Sequence, residues 1–148
     1  MYSTKFSVSL HILSLIALKE EKSITSDYIA GSINTNPVLV RRLMSLLKKS
    51  GLIVAQTKIG ATGLAKPANE ISMKEIFIAV EGDAPIFKIH EDTNQNCPVG
   101  ARIGSVVTHV NHQMKEKFNE ELDSIYLIDI LMDLDEQTNI NDHTEVMK

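Results

Sequence analysis

The sequence predicts a mainly α-helical fold with one small β-hairpin, and three observations carry that prediction. Apolar residues recur at steps of three and four along most of the chain. A β-branched, glycine-bearing stretch between residues 52 and 66 interrupts that pattern. A long apolar stripe then follows residue 97. At 148 residues, the chain is long enough for one sizeable core, or a small domain with helical attachments. No stretch approaches the ~20 apolar residues of a membrane span, and no cleavable signal pattern opens the chain, so a cytoplasmic protein with no membrane partner is expected. A single cysteine, Cys97, excludes an internal disulfide.

In chain order, residues 4–20 place Phe6, Leu10, Leu13 and Ala17 on one helical face and Val8, Ile12, Leu15 and Ile16 on others. A helix apolar over so much of its circumference needs partners on two sides. Thr25 or Ser26 caps a short second helix that buries Ile29, Ala30 and Ile33, and Asn34 to Asn36 form a tight turn. Asn36-Pro37 starts a third helix over about 37–50, because asparagine caps free amides and proline fits the first helical position. Gly51 stops it, with Lys48 and Lys49 near its negative end. Leu52 to Thr57, the turn glycines of Lys58 to Gly63, and Leu64 to Lys66 read as the hairpin. Ser72 and Glu75 form a capping box for a fourth helix that ends near Gly82.

Residues 83–96 read as irregular, after which Cys97-Pro98 opens a long helix. Its stripe is Val99, Ile103, Val106, Val110, Met114, Phe118 and Leu122. A helix of roughly 25 residues spans nearly 40 Å, which outruns a domain of this size and points to an intersubunit interface. Ser124 is expected to cap a last helix over 125–134, with the polar tail from 135 to 148 disordered. The expected divisions are 1–82, a winged helix-turn-helix; 83–97, a sensor loop; and 98–134, dimerisation helices.

Charge is distributed unevenly. From Tyr28 to Asn69 there are six basic residues and no acid, giving +6, while the rest of the chain carries −10. Within that segment the third helix divides cleanly. Leu39, Val40, Leu43, Leu46 and Leu47 face one way; Val38, Arg41, Arg42, Ser45, Lys48 and Lys49 face the other. Three helices, the last basic on its outside and followed by a hairpin, are the parts of a winged helix-turn-helix, whose third helix enters a major groove of double-stranded DNA. Thr35, Asn36, Val38, Arg41 and Arg42 are the base-edge or adjacent-phosphate candidates, and Lys48, Lys49 and the wing residue Lys58 the phosphate candidates. Ser26 and Ser45 complete the candidate set. The competing account is an ordinary helical core whose outside happens to be basic; the combined features favour DNA several-fold.

The segments Ile29-Ala30, Val40 to Ile53, the glycine-containing wing, Glu70 to Gly82, and Cys97 before a long helix resemble the Rrf-two family of bacterial transcriptional regulators. The resemblance runs from about residue 4 to 134, and Glu70-Ile-Ser to Val80-Glu-Gly82 is its most specific block. It implies a homodimer on a palindromic operator, usually repressing, with the long helices crossing at the interface. Cluster-bearing relatives place three cysteines in the loop before that helix, whereas here only Cys97 remains. No iron–sulfur cluster is therefore expected, since a cluster needs about four soft ligands. The wing, Ile59 to Leu64, lacks the family's arginine and aromatic residue.

Cys97, at the expected start of the long helix with Arg102 one to two turns on, is placed to favour thiolate, and redox sensing through it is expected. A buried, inert cysteine is the alternative. His109 and His112, at i and i+3, could share a metal with His90 or with a partner chain, but they read first as a solvated face, and no metal site is assigned. Catalysis is not expected, because no histidine and acid constellation accompanies the thiol. The alternatives to a DNA-binding regulator with a thiol sensor are a winged-helix protein-interaction module and a regulator responding to a metal or small ligand.

Overall fold

The computed structural model describes residues 3–146, with side chains through residue 138. Its elements are α1 (Lys5–Leu18), α2 (Ser26–Ile33), α3 (Pro37–Lys49), β1 (Ile53–Gln56), β2 (Gly60–Leu64), a 3-10 turn at Ala68–Glu70, α4 (Met73–Glu81), α5 (Ile103–Ser124) and α6 (Leu127–Val146). The mainly helical chain with one antiparallel hairpin is the fold class expected from the sequence.

The broad apolar surface of α1 does find partners on several sides: α2, α3 and β2, and also α4 and α6. Ile12, Leu13 and Ile16 are its covered apolar residues. They join Ile29 of α2, Val40, Leu43 and Leu47 of α3, Ala61 of β2, Ile76 of α4 and Leu127 of α6 in one core. An edge-on chain of rings ties α1 to α4 and α5: Phe6 to Phe77 at 5.8 Å and Phe77 to Phe118 at 5.2 Å.

The local signals at α2, α3 and α4 act as their chemistry dictates. Thr25 accepts from the Tyr28 amide, Asn36 from the Leu39 amide, and Ser72 and Glu75 complete both halves of their capping box. Burial works to raise the Glu75 carboxyl, but hydrogen bonds from Lys66 and the Ser72 amide outweigh it and hold the group below the usual carboxylate range.

Three features differ from expectation. The long helix begins at Ile103, not at Pro98: residues 97–102 form consecutive turns, with the Ala101 amide on Cys97 O and the Ile103 amide on Val99 O. The turns pack closely on the segment before them, so that a Cβ at Gly100 would stand 2.3 Å from Asn94 O. Ser124 ends α5, its hydroxyl on Glu121 O, and caps nothing in α6. Asp129 instead accepts from the Tyr126 amide at the α6 start. The last helix runs past Leu134 to Val146, so the backbone from 135 to 146 is helical where a disordered tail was expected; residues 147 and 148 lie outside the described residues. Glu and Gln at 136 and 137 are good helix formers and propagate a helix whose first turn is packed.

Two non-local junctions hold the molecule together. Ile24 and Ala61 exchange amide and carbonyl bonds at 2.9 Å each, joining the α1–α2 linker to β2. Ser72 and Tyr126 pair likewise, through Met73 N on Ile125 O and Leu127 N on Ile71 O. The irregular segment before α5 is also strapped down, since the Asn111 amide donates to Phe87 O at 2.8 Å and accepts from Phe87 N at 2.7 Å.

Gly60 is the tightest point of the first junction. Its φ is +96° and an added Cβ would stand 2.3 Å from Ile24 O, whereas Gly63, a strand residue rather than a turn glycine, has open space. Gly60→Ala is expected to destabilise the protein by about 2–3 kcal/mol and Gly63→Ala by well under half of that, read as shifts of the urea midpoint at constant slope.

Candidate nucleic-acid interface

The sequence places two polar-faced helices and a hairpin in succession, and folding turns them towards one another. α3 buries Val40, Leu43, Met44 and Leu47, leaving Val38, Arg41, Arg42, Ser45, Lys48 and Lys49 exposed. Met44 is the one covered residue that the facial division passed over. Across from this face stand the N-terminus of α2 and the tip of the hairpin, and the three enclose a groove of about 490 Å³. Ser26, Arg41, Ser45, Lys48 and Lys58 all line it.

The remaining candidates lie elsewhere on the same surface. Thr35, Asn36 and Val38 stand at the α3 N-terminus; Val38 is 58% exposed, while Asn36 Oδ1 is committed to the Leu39 amide at 2.8 Å. Arg42 and Lys49 are exposed on α3 but do not line the groove. Lys58 sits at the hairpin turn with φ +73°, a backbone conformation that asparagine or glycine adopts with less strain. Lys66 is drawn away from this surface by an ion pair with Glu75 at 2.5 Å. None of the ion pairs among the described residues takes up Arg41, Arg42, Lys48, Lys49 or Lys58.

Sequence reasoning did not assign several groove residues to the site, Gln56, Thr57 and Asp27 among them. Gln56 and Thr57 lie at the end of the hairpin, where strand alternation carries little information over so few positions. Asp27 also lines the groove, and it stands one residue before the acid-free segment, so a charge count that starts at Tyr28 conceals it.

Cys97 is exposed and lies in the turn ahead of α5 rather than at its N-terminus. Hydrogen bonds from the Gly100 amide, then the Val99 amide, lower its thiol from the ordinary value, with no contribution from Arg102. Among the described residues, no three His, Cys, Asp or Glu side chains are grouped to hold a metal ion, His90, His109 and His112 included. Nor is any helix there long and apolar enough to cross a membrane.

Comparison with known proteins fits this geometry. A family model described as Rrf2, iron-dependent transcriptional regulator, matches residues 2–133. A candidate helix-turn-helix transcriptional regulator of Bacillus subtilis, YwnA, is 37% identical over 131 residues, covering 88% of this chain and 97% of its own. The crystal structure of a candidate DNA-binding protein is 34% identical, with a TM-score of 0.69, covering 86% of this chain and 98% of that one. CymR, the global cysteine regulator of B. subtilis, shares the fold at 22% identity and a TM-score of 0.63, over 89% of this chain and 96% of its own. These relatives are regulators, not enzymes. The family description names iron; this chain carries a single thiol, the exposed Cys97, and among the described residues no three His, Cys, Asp or Glu side chains group around it. By the match of nearly its whole length and by the winged helix-turn-helix it builds, the chain belongs to the Rrf2 family of transcriptional regulators.

Proposed function

We propose that the protein is a homodimeric, sequence-specific repressor acting in the cytoplasm on a palindromic operator, working without an iron–sulfur cluster and responding to oxidants through Cys97. The observation that carries the DNA reading is the groove in which Arg41, Ser45 and Lys48 of α3 meet Ser26 of α2 and Lys58 of the hairpin. α3 would lie in the major groove, with cations not engaged by protein carboxylates free to displace counterions from phosphate. A second copy is argued from α5, which is 22 residues and so about 33 Å long. Along it, Val106, Val110 and Met114 are 54%, 37% and 49% exposed, an apolar row that a partner helix would cover.

The redox arm rests on an exposed thiol with a lowered pKa in the turn that leads into α5. The Cys97 thiolate would attack the O–O bond of a hydroperoxide, becoming a sulfenic acid while the other oxygen leaves and takes a proton as water or an alcohol. A polar, bulkier group there would disturb the adjoining seam and with it the spacing of the two DNA-reading helices.

Fluorescence anisotropy with the duplex upstream of the chain's own gene tests this. Binding should weaken by about 10³-fold or more between 50 and 200 mM salt if six or more phosphates are neutralised. Peroxide should release the reduced wild type, reductant should restore it, and Cys97→Ser should bind equally well with or without peroxide. Release of Cys97→Ser by peroxide would remove the thiol from the scheme while leaving the regulator.

A further inference from the structure

We infer that Asp27 is a specificity-determining residue that reads a cytosine in the operator, an inference that rests on the groove being the DNA-binding face. Asp27 lines the groove together with Arg41, Ser45, Lys48 and Lys58, is exposed, and has no ion-pair partner among the described residues. It is the one carboxylate among the groove-lining residues.

Support of α2 does not account for it. An acid in the first turn favours a helix, but Thr25 already caps this one, its side chain accepting from the Tyr28 amide at 3.2 Å. The exposed position of Tyr28 in the same turn, which does not line the groove, would serve the dipole as well without putting a negative charge where a polyanion must enter. Beside phosphate, the carboxylate would be repelled. Beside base edges it becomes useful, because an ionised carboxylate can only accept hydrogen bonds.

The major-groove edges differ in what they offer such a group. Guanine presents two acceptors and thymine one acceptor with a methyl, and adenine sets an acceptor beside its amino group. Cytosine alone presents only a donor, its N4 amino group. A carboxylate among cations therefore selects cytosine and is repelled elsewhere, while Arg41, Lys48 and Lys58 keep the backbone close enough for the choice to be made.

Selection from a duplex library randomised across the half-site, run with wild type, Asp27→Ala and Asp27→Asn, tests the assignment. Wild type should enrich a cytosine at one position of each half-site, and both variants should lose that preference by about tenfold or more while keeping the wild-type salt slope. Asp27→Asn preserves side-chain size, so it reports even if Asp27→Ala loosens α2. Tighter binding of both variants to all sequences alike, with the cytosine preference intact, would overturn the assignment and leave Asp27 as a charge near phosphate. Wild type that binds the library with salt dependence but enriches no sequence would overturn the operator reading on which it rests.

Discussion

Arg41→Ala combined with Lys48→Ala is expected to weaken operator binding by about 10³-fold at moderate salt and to flatten its salt dependence. Both side chains line the groove, about two turns apart on the solvent face of α3, and neither is held by a protein carboxylate. In a dimer each substitution is made twice, so four cationic groups leave the phosphate backbone, each worth about 1 kcal/mol or more when charge-assisted. The slope of log affinity against log salt should fall by about 0.9 for each phosphate that is no longer neutralised. Folding should hardly change, because the two positions are exposed and Lys48 contributes only a few tenths of a kcal/mol at the helix end. Lys66→Ala provides the contrast: its ammonium is spent on Glu75, so it should leave the salt slope nearly unchanged. Anisotropy titrations at four or five salt concentrations check both variants, and an unaltered slope in the double variant would place the DNA elsewhere.

Val106→Glu with Val110→Glu is expected to convert a dimer into a folded monomer and to reduce operator affinity by at least about 100-fold. The two valines are 54% and 37% exposed in the single chain, so the substitutions leave its own core intact. At a helix–helix seam they would bring four carboxylates into an apolar interface, and each buried, unpaired charge costs several kcal/mol. Loss of the partner also removes the gain from linking two half-sites, since the second binding event is then no longer intramolecular. Sedimentation velocity gives the mass directly. Thermal midpoints should rise with concentration for wild type and not for the variant. A wild type that sediments as a monomer, or a variant that remains dimeric, would remove α5 from the interface.

What the sequence disclosed was what neighbouring residues decide among themselves. The start of α3 is visible in Asn36-Pro37, its end in Gly51, and the start of α4 in Ser72 and Glu75, because caps and boxes act within a few residues. The clean division of α3 likewise anticipated one wall of the groove, Arg41, Ser45 and Lys48, since helical spacing alone decides which side chains point outward. Residues that depend on distant chain stayed hidden. The turns that precede α5 pack Gly100 on Asn94, an approach that no periodicity announces. Asn111 looks like a surface polar residue on α5, yet it is 7% exposed because its amide stands in for a strand partner of Phe87. Cys97 has a lowered pKa, as expected, though the cause is the turn amides of Gly100 and Val99 rather than a helix end and Arg102. Asp27 escaped because the groove, not the sequence, puts it beside the cations.

The pairing of Ile24 with Ala61 has a further consequence for the nucleic acid rather than the protein. It fastens the segment leading into α2 to the hairpin, while Leu47 O and Leu52 O, bonded to the Leu52 and Ala65 amides, tie the end of α3 to the base of the same hairpin. The three walls of the groove are thus tied to one another within the chain, which leaves each DNA-reading unit little room to adapt its own shape. In the proposed dimer, distortion needed to seat two half-sites would then fall mainly on the duplex, at a cost set by the stiffness of base steps that no side chain touches. Operators for this protein should accordingly be selected in part by how readily their central steps yield.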